Sequence, residues 1–428
     1  MKEEIIVGSG INGLVAANYL VKHGFNVSVI EKKPTTGGAC VKDSTIIENK
    51  NIDFAHGPTV LGMMPDFIFK ETGLVKMVEG FYPKTPKLVY FQGEKNTTKI
   101  FQDSHQLEEE LKNKWGETGK INDFRADENK VIKFIQKLYR EANSPSIDLA
   151  IKNLGEDLTK LWISGSAKDL LDHYFTSDKT KLYMGMTVIE SGPASIYDPG
   201  TAFTIPLMDS GSVYNGYWGF VKTGIWKITE CLTKINSNLG VKLHLNSLIN
   251  EVDSQSNSIS FSKESKDYKI KYDHLIFANH SSEAIKILKK PSKDQIKLMR
   301  SVKYQKNNVI IHSDEKLMPN EKGNWCSWNY LYHNNNIVLT YWMNLLQNLK
   351  CKTNIFVTLN NTKIRKEKLI KKITYSHPLF TKSLKEVNIL LEKAQGINNI
   401  WFAGAWLGYG FHEDGVKSAK KIRNMINV

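Results

Sequence analysis

Apolar positions near the start of the chain come in short unbroken runs. Ile5 to Val7 has the character of a strand covered on both faces, as in a parallel sheet. The stretch that follows, up to Leu20, is apolar over most of a helix surface. A second apolar run, Asn26 to Ile30, reads as another strand. Further along, QLEEELKNKW and ENKVIKFIQKLYREA alternate at helical spacing, within a segment, 76–214, that looks helical and charged at first. Residues 219–252 predict a helix followed by one strand, VKLHLNSLINEV, and residues 272–284 predict a strand leading into a helix. NNVIIHSD, IVLTYWM and NIFVTL are strand-like runs within 291–394. The chain closes with a strand, Ile400 to Ala403, a glycine-rich turn and a helix. That helix places Val416, Ala419, Ile422, Met425 and Ile426 on one face.

Strand, turn, helix and strand at the start frame three glycines. Gly8, Gly10 and Gly13 fall at G-x-G-x-x-G spacing. Gly8 allows the tight turn, Gly10 lets a pyrophosphate approach the backbone, and Gly13 lets the helix pack close to the strand. Ile11, Asn12 and Gly13 then open a helix whose unbonded N–H groups and positive dipole end suit phosphate. Glu31 ends the second strand about 20 residues after the glycines, where a carboxylate binds a ribose diol; Lys32 follows it. This order of elements predicts a dinucleotide site.

The adjacent glycines Gly37 and Gly38, followed by Ala39, resemble the second motif of FAD-binding flavoproteins of the amine oxidase and phytoene desaturase superfamily. IDFAHGPTVLG, residues 52–62, resembles the next segment of phytoene desaturase-like enzymes, where a strand and a Gly-Pro turn line the flavin. Residues 169–203 are similar to the pyridine nucleotide-disulfide oxidoreductase domain-containing branch of that group. From about residue 272 onward the chain is more similar to bacterial NAD/FAD-binding amine-oxidase-like proteins. The resemblance implies an α/β fold: a Rossmann-type FAD-binding domain (1–75, 215–290 and 395–428) interleaved with an α+β substrate domain (76–214 and 291–394). It implies cofactor contacts at Ile249, Gly404, Asp414, Gly415 and Val416, with Asp414 and Gly415 at the N-cap of a closing helix aimed at the flavin pyrimidine edge.

Two departures from the family pattern stand out. VKTGIW carries Thr223 where these enzymes have one glycine of a pair, leaving Lys222 and Gly224 in place. Ala405 follows Gly404 where amine oxidases carry an acid, which counts against amine oxidation. No cysteine lies in 399–428, so the FAD is expected to be non-covalent; NAD(P) is the alternative cofactor, and no motif points to it. Lys222, Tyr409 and His412 are candidates for catalytic side chains. Trp325, Trp328, Tyr330, Tyr341 and Trp342 are candidates for a substrate pocket, or equally for core.

Composition narrows the partners. The 428 residues carry 58 Lys+Arg against 44 Asp+Glu, a net charge of +14, which favours an anionic membrane surface; no nucleic-acid module is visible. No apolar run reaches the roughly 18 residues of a membrane span. The first strand starts so early that no signal or transit peptide is expected. The cysteines Cys40, Cys231, Cys326 and Cys351 have neither C-x-x-C nor metal spacing. A reducing, cytoplasmic compartment is therefore expected, with peripheral membrane association as an option, and no metal. The leading expectation is an FAD-dependent oxidoreductase that desaturates, saturates or isomerises an apolar, lipid- or isoprenoid-like substrate. The alternatives are a flavin amine oxidase releasing hydrogen peroxide, and a flavin-binding protein without turnover.

Overall fold

Five short strands form one parallel sheet in the order Ile400–Phe402, His274–Phe277, Glu3–Val7, Asn26–Ile30, Lys242–His244. Their side chains alternate between two apolar layers. Ile6, Val27, Val29 and Ile276 face the helices Ile11–Lys22, Trp226–Asn238 and His412–Met425. Ile5, Val7, Ile30, Leu275 and Phe277 face Ser281–Ile287, Lys293–Arg300, Leu384–Ala394 and a four-stranded sheet built on Leu248–Asp253 and Ser258–Lys263. Burial on both faces explains why these strands read as unbroken apolar runs. The computed structural model describes residues 2–57, 64, 66–78, 80–81, 87–91, 93–94, 97–101, 103–141, 147–190, 195–209, 220–333, 336–359, 364–379, 384–408 and 412–426.

The first strand lies between its second-strand neighbour on one side and His274–Phe277 on the other, so the chain leaves it in both directions. Ligands of open α/β sheets bind beyond the carboxyl end of the strand where this reversal occurs. Gly8 stands at that end.

A third sheet has seven strands, in the order Leu369–Leu379, Lys303–His312, Phe356–Leu359, Asn336–Trp342, Trp328–His333, Lys87–Phe91, Thr97–Ile100. Val309, Ile311, Val357, Trp328 and Tyr330 on its inner face pack against a helical layer centred on Phe124, Trp162, Leu170 and Tyr174. Together these layers make a mixed α/β fold.

Three expectations need correction. VKLHLNSLINEV is two strands: Lys242–His244 belongs to the parallel sheet and Leu248–Asp253 to the four-stranded one. The chain turns at Asn246, left-handed with φ 52°, and the Asn246 and Ser247 N–H groups donate to Lys33 and Glu31 carbonyls. The segment 76–214 does not begin as helix, because Lys87–Phe91 and Thr97–Ile100 are strands. Lys87–Phe91 pairs in parallel with Trp328–His333, a partner too distant in sequence for local periodicity to reveal. On the closing helix Val416, Ala419, Ile422 and Ile426 are buried, but Met425 is 44% exposed. No helix among the described residues is long and apolar enough to cross a membrane.

Gly13 marks the tightest point of this architecture. A Cβ there would lie 2.0 Å from the Gly8 carbonyl oxygen and 3.3 Å from the Ala278 Cβ. Backbone cannot step aside as a flexible side chain can. Gly13→Ala is expected to lower stability by at least about 2 kcal/mol, the overpacking penalty of a rigid core. Chemical denaturation of the two proteins measures it.

Candidate functional site

The G-x-G-x-x-G turn and the glycine pair fold against each other. Gly8 has φ +100° and donates its N–H to the Ile30 carbonyl at 2.9 Å, which closes the turn over the second strand. Gly10 precedes the helix Ile11–Lys22 in an extended conformation. It forms a parallel bridge with Gly37, whose N–H donates to the Ser9 carbonyl at 2.9 Å. A Cβ on Gly38 would come within 3.0 Å of the Gly10 Cα, and one on Gly37 within 2.8 Å of the Cys40 carbonyl oxygen. Gly37 and Gly38 also have positive φ, +122° and +65°. Ala39, beside them, is exposed.

Glu31 is buried at the edge of this cradle. Its Oε2 accepts from the Ser9 N–H at 2.9 Å and the Ser9 hydroxyl at 2.8 Å, and its Oε1 accepts from the Lys33 N–H at 2.9 Å. A carboxylate offers about four lone-pair positions. The expected two-point grip on a ribose diol therefore requires the Ser9 hydroxyl to turn away. Lys32 points outward and pairs with Glu283 at 2.7 Å. Ile249 is half-buried opposite Phe261 on the four-stranded sheet, two residues past the 245–247 turn that touches Glu31.

The closing helix reaches the same place. It spans His412–Met425, so Asp414 and Gly415 lie inside its first turn and not at its N-cap. The helix begins two residues earlier than the Asp-Gly pair suggested, because Gly415 is there for contact: a Cβ on it would sit 1.8 Å from Asn12 Oδ1. Asn12 and Gly415 thus bring the N-terminal turns of two helices together. Asp414 is buried 3.8 Å from the Lys417 ammonium, and Val416 is buried in the core. Gly404 has φ +153°, and a Cβ on it would meet the Trp406 ring at 2.7 Å. The Ser418 hydroxyl ties the two ends, accepting from the Gly404 N–H at 2.9 Å and donating to the Gly415 carbonyl at 2.6 Å.

Asn12 Oδ1 and Asn279 Oδ1 are buried without a hydrogen-bond partner among the described residues. Both border the cradle, since Asn279 also lines Gly8. Orphaned buried acceptors of this kind are rare in native folds. Together with the glycine-lined opening and two converging helix N-termini, they suit a dinucleotide that brings its own donors and phosphates.

The residues proposed for chemistry scatter. Lys222 is exposed on the turn before Gly224. Tyr409 lies outside the described residues, and His412 contributes its backbone to the opening of the closing helix. The five aromatic candidates divide between two clusters. Trp328, Tyr330 and Tyr341 belong to the inner layer of the seven-stranded sheet, whereas Trp325 and Trp342 pack edge to face, 5.3 Å apart, beside Phe356. Tyr341 and Trp342 are neighbours on one strand, so the two-residue period sends them to opposite faces.

Comparison with known proteins gives the site its setting. Residues 11–344 match the family described as flavin containing amine oxidoreductase. The chain belongs to that family. Membership implies a flavin cofactor. A 4,4'-diapophytoene desaturase of Staphylococcus haemolyticus is 26% identical over 257 residues, 58% of this chain and 49% of that protein. The Staphylococcus aureus (strain COL) counterpart is 26% identical over 260 residues, again 58% of this chain. The match thus spans about half the length of these relatives. Among solved structures, a fatty acid isomerase from P. acnes superposes with a TM-score of 0.61 at 15% identity, covering 100% of this chain and 99% of its own. A putrescine oxidase bound to putrescine superposes at 0.61 and 12% identity, covering 99% and 98%. These superpositions show the shared flavoprotein fold.

One residue of this family member carries visible strain. Thr223 has φ +82°, a left-handed conformation that a β-branched residue rarely adopts, and it occupies the place where a second glycine was expected. Thr223→Gly should relieve the strain and raise stability by about 0.5–1 kcal/mol after the entropic cost of glycine. Thermal unfolding of the paired proteins tests this.

Proposed function

We propose that this chain is an FAD-dependent oxidoreductase acting on carbon–carbon bonds of an apolar, lipid- or isoprenoid-like substrate by desaturation, saturation or isomerisation. The observation that carries this reading is the sequence likeness to 4,4'-diapophytoene desaturases over 58% of the chain. FAD is held non-covalently: the glycine turn and the N-terminal N–H groups of Ile11, Asn12 and Gly13 receive the pyrophosphate. Glu31 holds the ribose, and the Gly37–Gly38–Ala39 loop and Ile249 border the adenosine half. Bound FAD would supply a two-electron acceptor for a hydride. The chain's own part is to position the C–H bond and keep water out.

The closing helix directs its N-terminal dipole at the site, and a positive end of about half a charge stabilises a negative ring edge. Amine oxidation is favoured by the family's description and the putrescine oxidase fold, but Ala405 stands where amine oxidases carry an acid. Burial pushes the Cys40 thiol, two residues after Gly38, up to about 12.

The purified protein should be yellow and release FAD on heating. Glu31→Ala should weaken FAD binding by about 1–3 kcal/mol, the cost of stripping a charged partner from buried donors and hydroxyls. Anaerobic 4,4'-diapophytoene should bleach the flavin while putrescine does not. Bleaching by putrescine with peroxide release would establish the amine oxidase reading instead; bleaching by neither would favour binding without turnover.

The charge of +14 supports peripheral association with an anionic, cytoplasm-facing membrane. Sedimentation with phosphatidylglycerol vesicles should fall as salt rises, since the screening length is about 10 Å at 0.1 M. Equal sedimentation with neutral phosphatidylcholine vesicles would remove the electrostatic basis.

A further inference from the structure

A chain of ionisable side chains that the reading above does not use lies where the seven-stranded sheet meets the glycine cradle. Tyr375 Oη is 2.8 Å from His56 Nδ1, and His56 Nε2 is 3.1 Å from Asp43 Oδ2. The Lys371 ammonium pairs with the same Asp43 oxygen. The members come from three places. Asp43 opens the hairpin strand Asp43–Ile47, and His56 follows its partner strand Lys50–Phe54. Lys371 and Tyr375 are four residues apart on Leu369–Leu379, so both project from the inner face that also carries Ile373.

The surroundings fix this chain against the cofactor cradle. A Cβ on Gly57 would lie 2.7 Å from the Ala39 carbonyl oxygen and 3.2 Å from Tyr375 Oη. The tyrosine hydroxyl therefore lies beside Gly57, which packs on the loop whose Gly38 abuts Gly10. Ala55, just before His56, is clamped by Gln347, which accepts from the Ala55 N–H at 2.9 Å and donates to its carbonyl at 3.2 Å. His56 is buried, with 7% of its surface exposed.

The protons can be placed. Burial alone would raise the Asp43 carboxyl, but the Lys371 ammonium, the Ser44 N–H and His56 together hold it below the usual carboxylate range. Burial pushes His56 below the ordinary imidazole value, against the pull of Asp43. Burial also pushes Tyr375 up to about 12, with Cys40 and Asp43 adding to it. At neutral pH Asp43 is ionised, His56 neutral and Tyr375 protonated. The carboxylate accepts, so Nε2 carries the imidazole proton, and Nδ1 is left to accept from the tyrosine O–H.

We propose that Tyr375, His56 and Asp43 form the proton relay of this site: Tyr375 takes a proton from the substrate carbon, His56 takes the tyrosine's proton, and Asp43 positions the imidazole. The assignment rests on the desaturase reading. Desaturation removes two hydrogens from adjacent carbons. Bound FAD would accept one of them with its electron pair, as a hydride. The neighbouring C–H bond then gives its electron pair to the new C=C bond and its proton to Tyr375 Oη. The tyrosine's own proton passes to His56 Nδ1, and the imidazolium rests against Asp43 until it loses the proton to water. A C–H bond beside an electron-deficient carbon is strongly acidic, so a neutral tyrosine–histidine pair is base enough. The arrangement follows the logic of a nucleophile–histidine–aspartate triad, with a carbon acid in place of an acyl group.

The test uses the full chain loaded with FAD and begins without substrate. The flavin midpoint potential is measured against pH for the parent, His56→Gln, Asp43→Asn and Tyr375→Phe. Titratable neighbours of the relay are Asp43, Lys371 and Lys33 around His56, with Cys40 and Asp43 facing Tyr375. The parent plot should change slope below about pH 6.5, as His56 gains a proton when the nearby flavin gains negative charge. The break should vanish in His56→Gln, move in Asp43→Asn and persist in Tyr375→Phe. Reduction by 4,4'-diapophytoene should slow at least tenfold in Tyr375→Phe with FAD affinity unchanged. A parent plot without a break, a break that survives His56→Gln, or full-speed reduction of Tyr375→Phe overturns the relay. If the parent is not reduced by 4,4'-diapophytoene, the desaturase reading fails, and the slope change alone decides whether His56 exchanges protons with the flavin site.

Discussion

The site depends on backbone lying against backbone. At Gly13 and Gly8 the chain approaches itself more closely than any Cβ permits, and at Gly38 and Gly10 it comes nearly as close. These two contacts bring the first helix onto the first strand and the second glycine loop onto the first. A cradle open to phosphate is left between them. Close packing makes the arrangement rigid, because neither side has a rotamer with which to yield.

Polar side chains then hold the glycine loops in register. Glu31 satisfies Ser9 and Lys33, and Ser418 satisfies Gly404 while bonding back to its own helix. Deeper in, Asn236 Nδ2 donates to the Leu14 carbonyl at 2.8 Å, and its Oδ1 accepts from Asn18 at 2.9 Å, joining two helices over the parallel sheet. Each is a buried group, and the partners of Asn236 lie 222 and 218 residues away. Such bonds contribute modestly when made and cost more when broken, so they select one arrangement among many apolar packings.

The seam between the cradle and the seven-stranded sheet gives the fold its scope for chemistry. On one side stand elements built for a dinucleotide. On the other stands a sheet whose inner face, apolar at Val309, Ile311 and Val357, is interrupted by polar residues that include Asn307, Tyr375 and Lys371. The polar chain from Tyr375 to Asp43 occupies that interruption.

Much of the dinucleotide half is legible in the sequence, because its determinants are local. Gly8, Gly10, Gly13 and Glu31 sit within one strand–helix–strand unit, where spacing alone fixes geometry, and strands buried on both faces announce themselves as apolar runs. Boundaries were less legible. Asp414 and Gly415 look like a helix cap, yet Asn12, some four hundred residues away, explains the glycine. The aromatic run 325–342 looks like a pocket, but strand alternation divides it between two cores. His56 was visible as a histidine in an apolar stretch before a Gly-Pro turn. Nothing local pairs it with Tyr375, which lies 319 residues further on. The sequence by itself determined the cofactor class and the α/β architecture, since helix and strand periods and glycine turns are properties of neighbouring residues. Only the tertiary structure decided which side chains face one another across the seam, because those contacts are set by sheet order and register between segments that the chain keeps far apart.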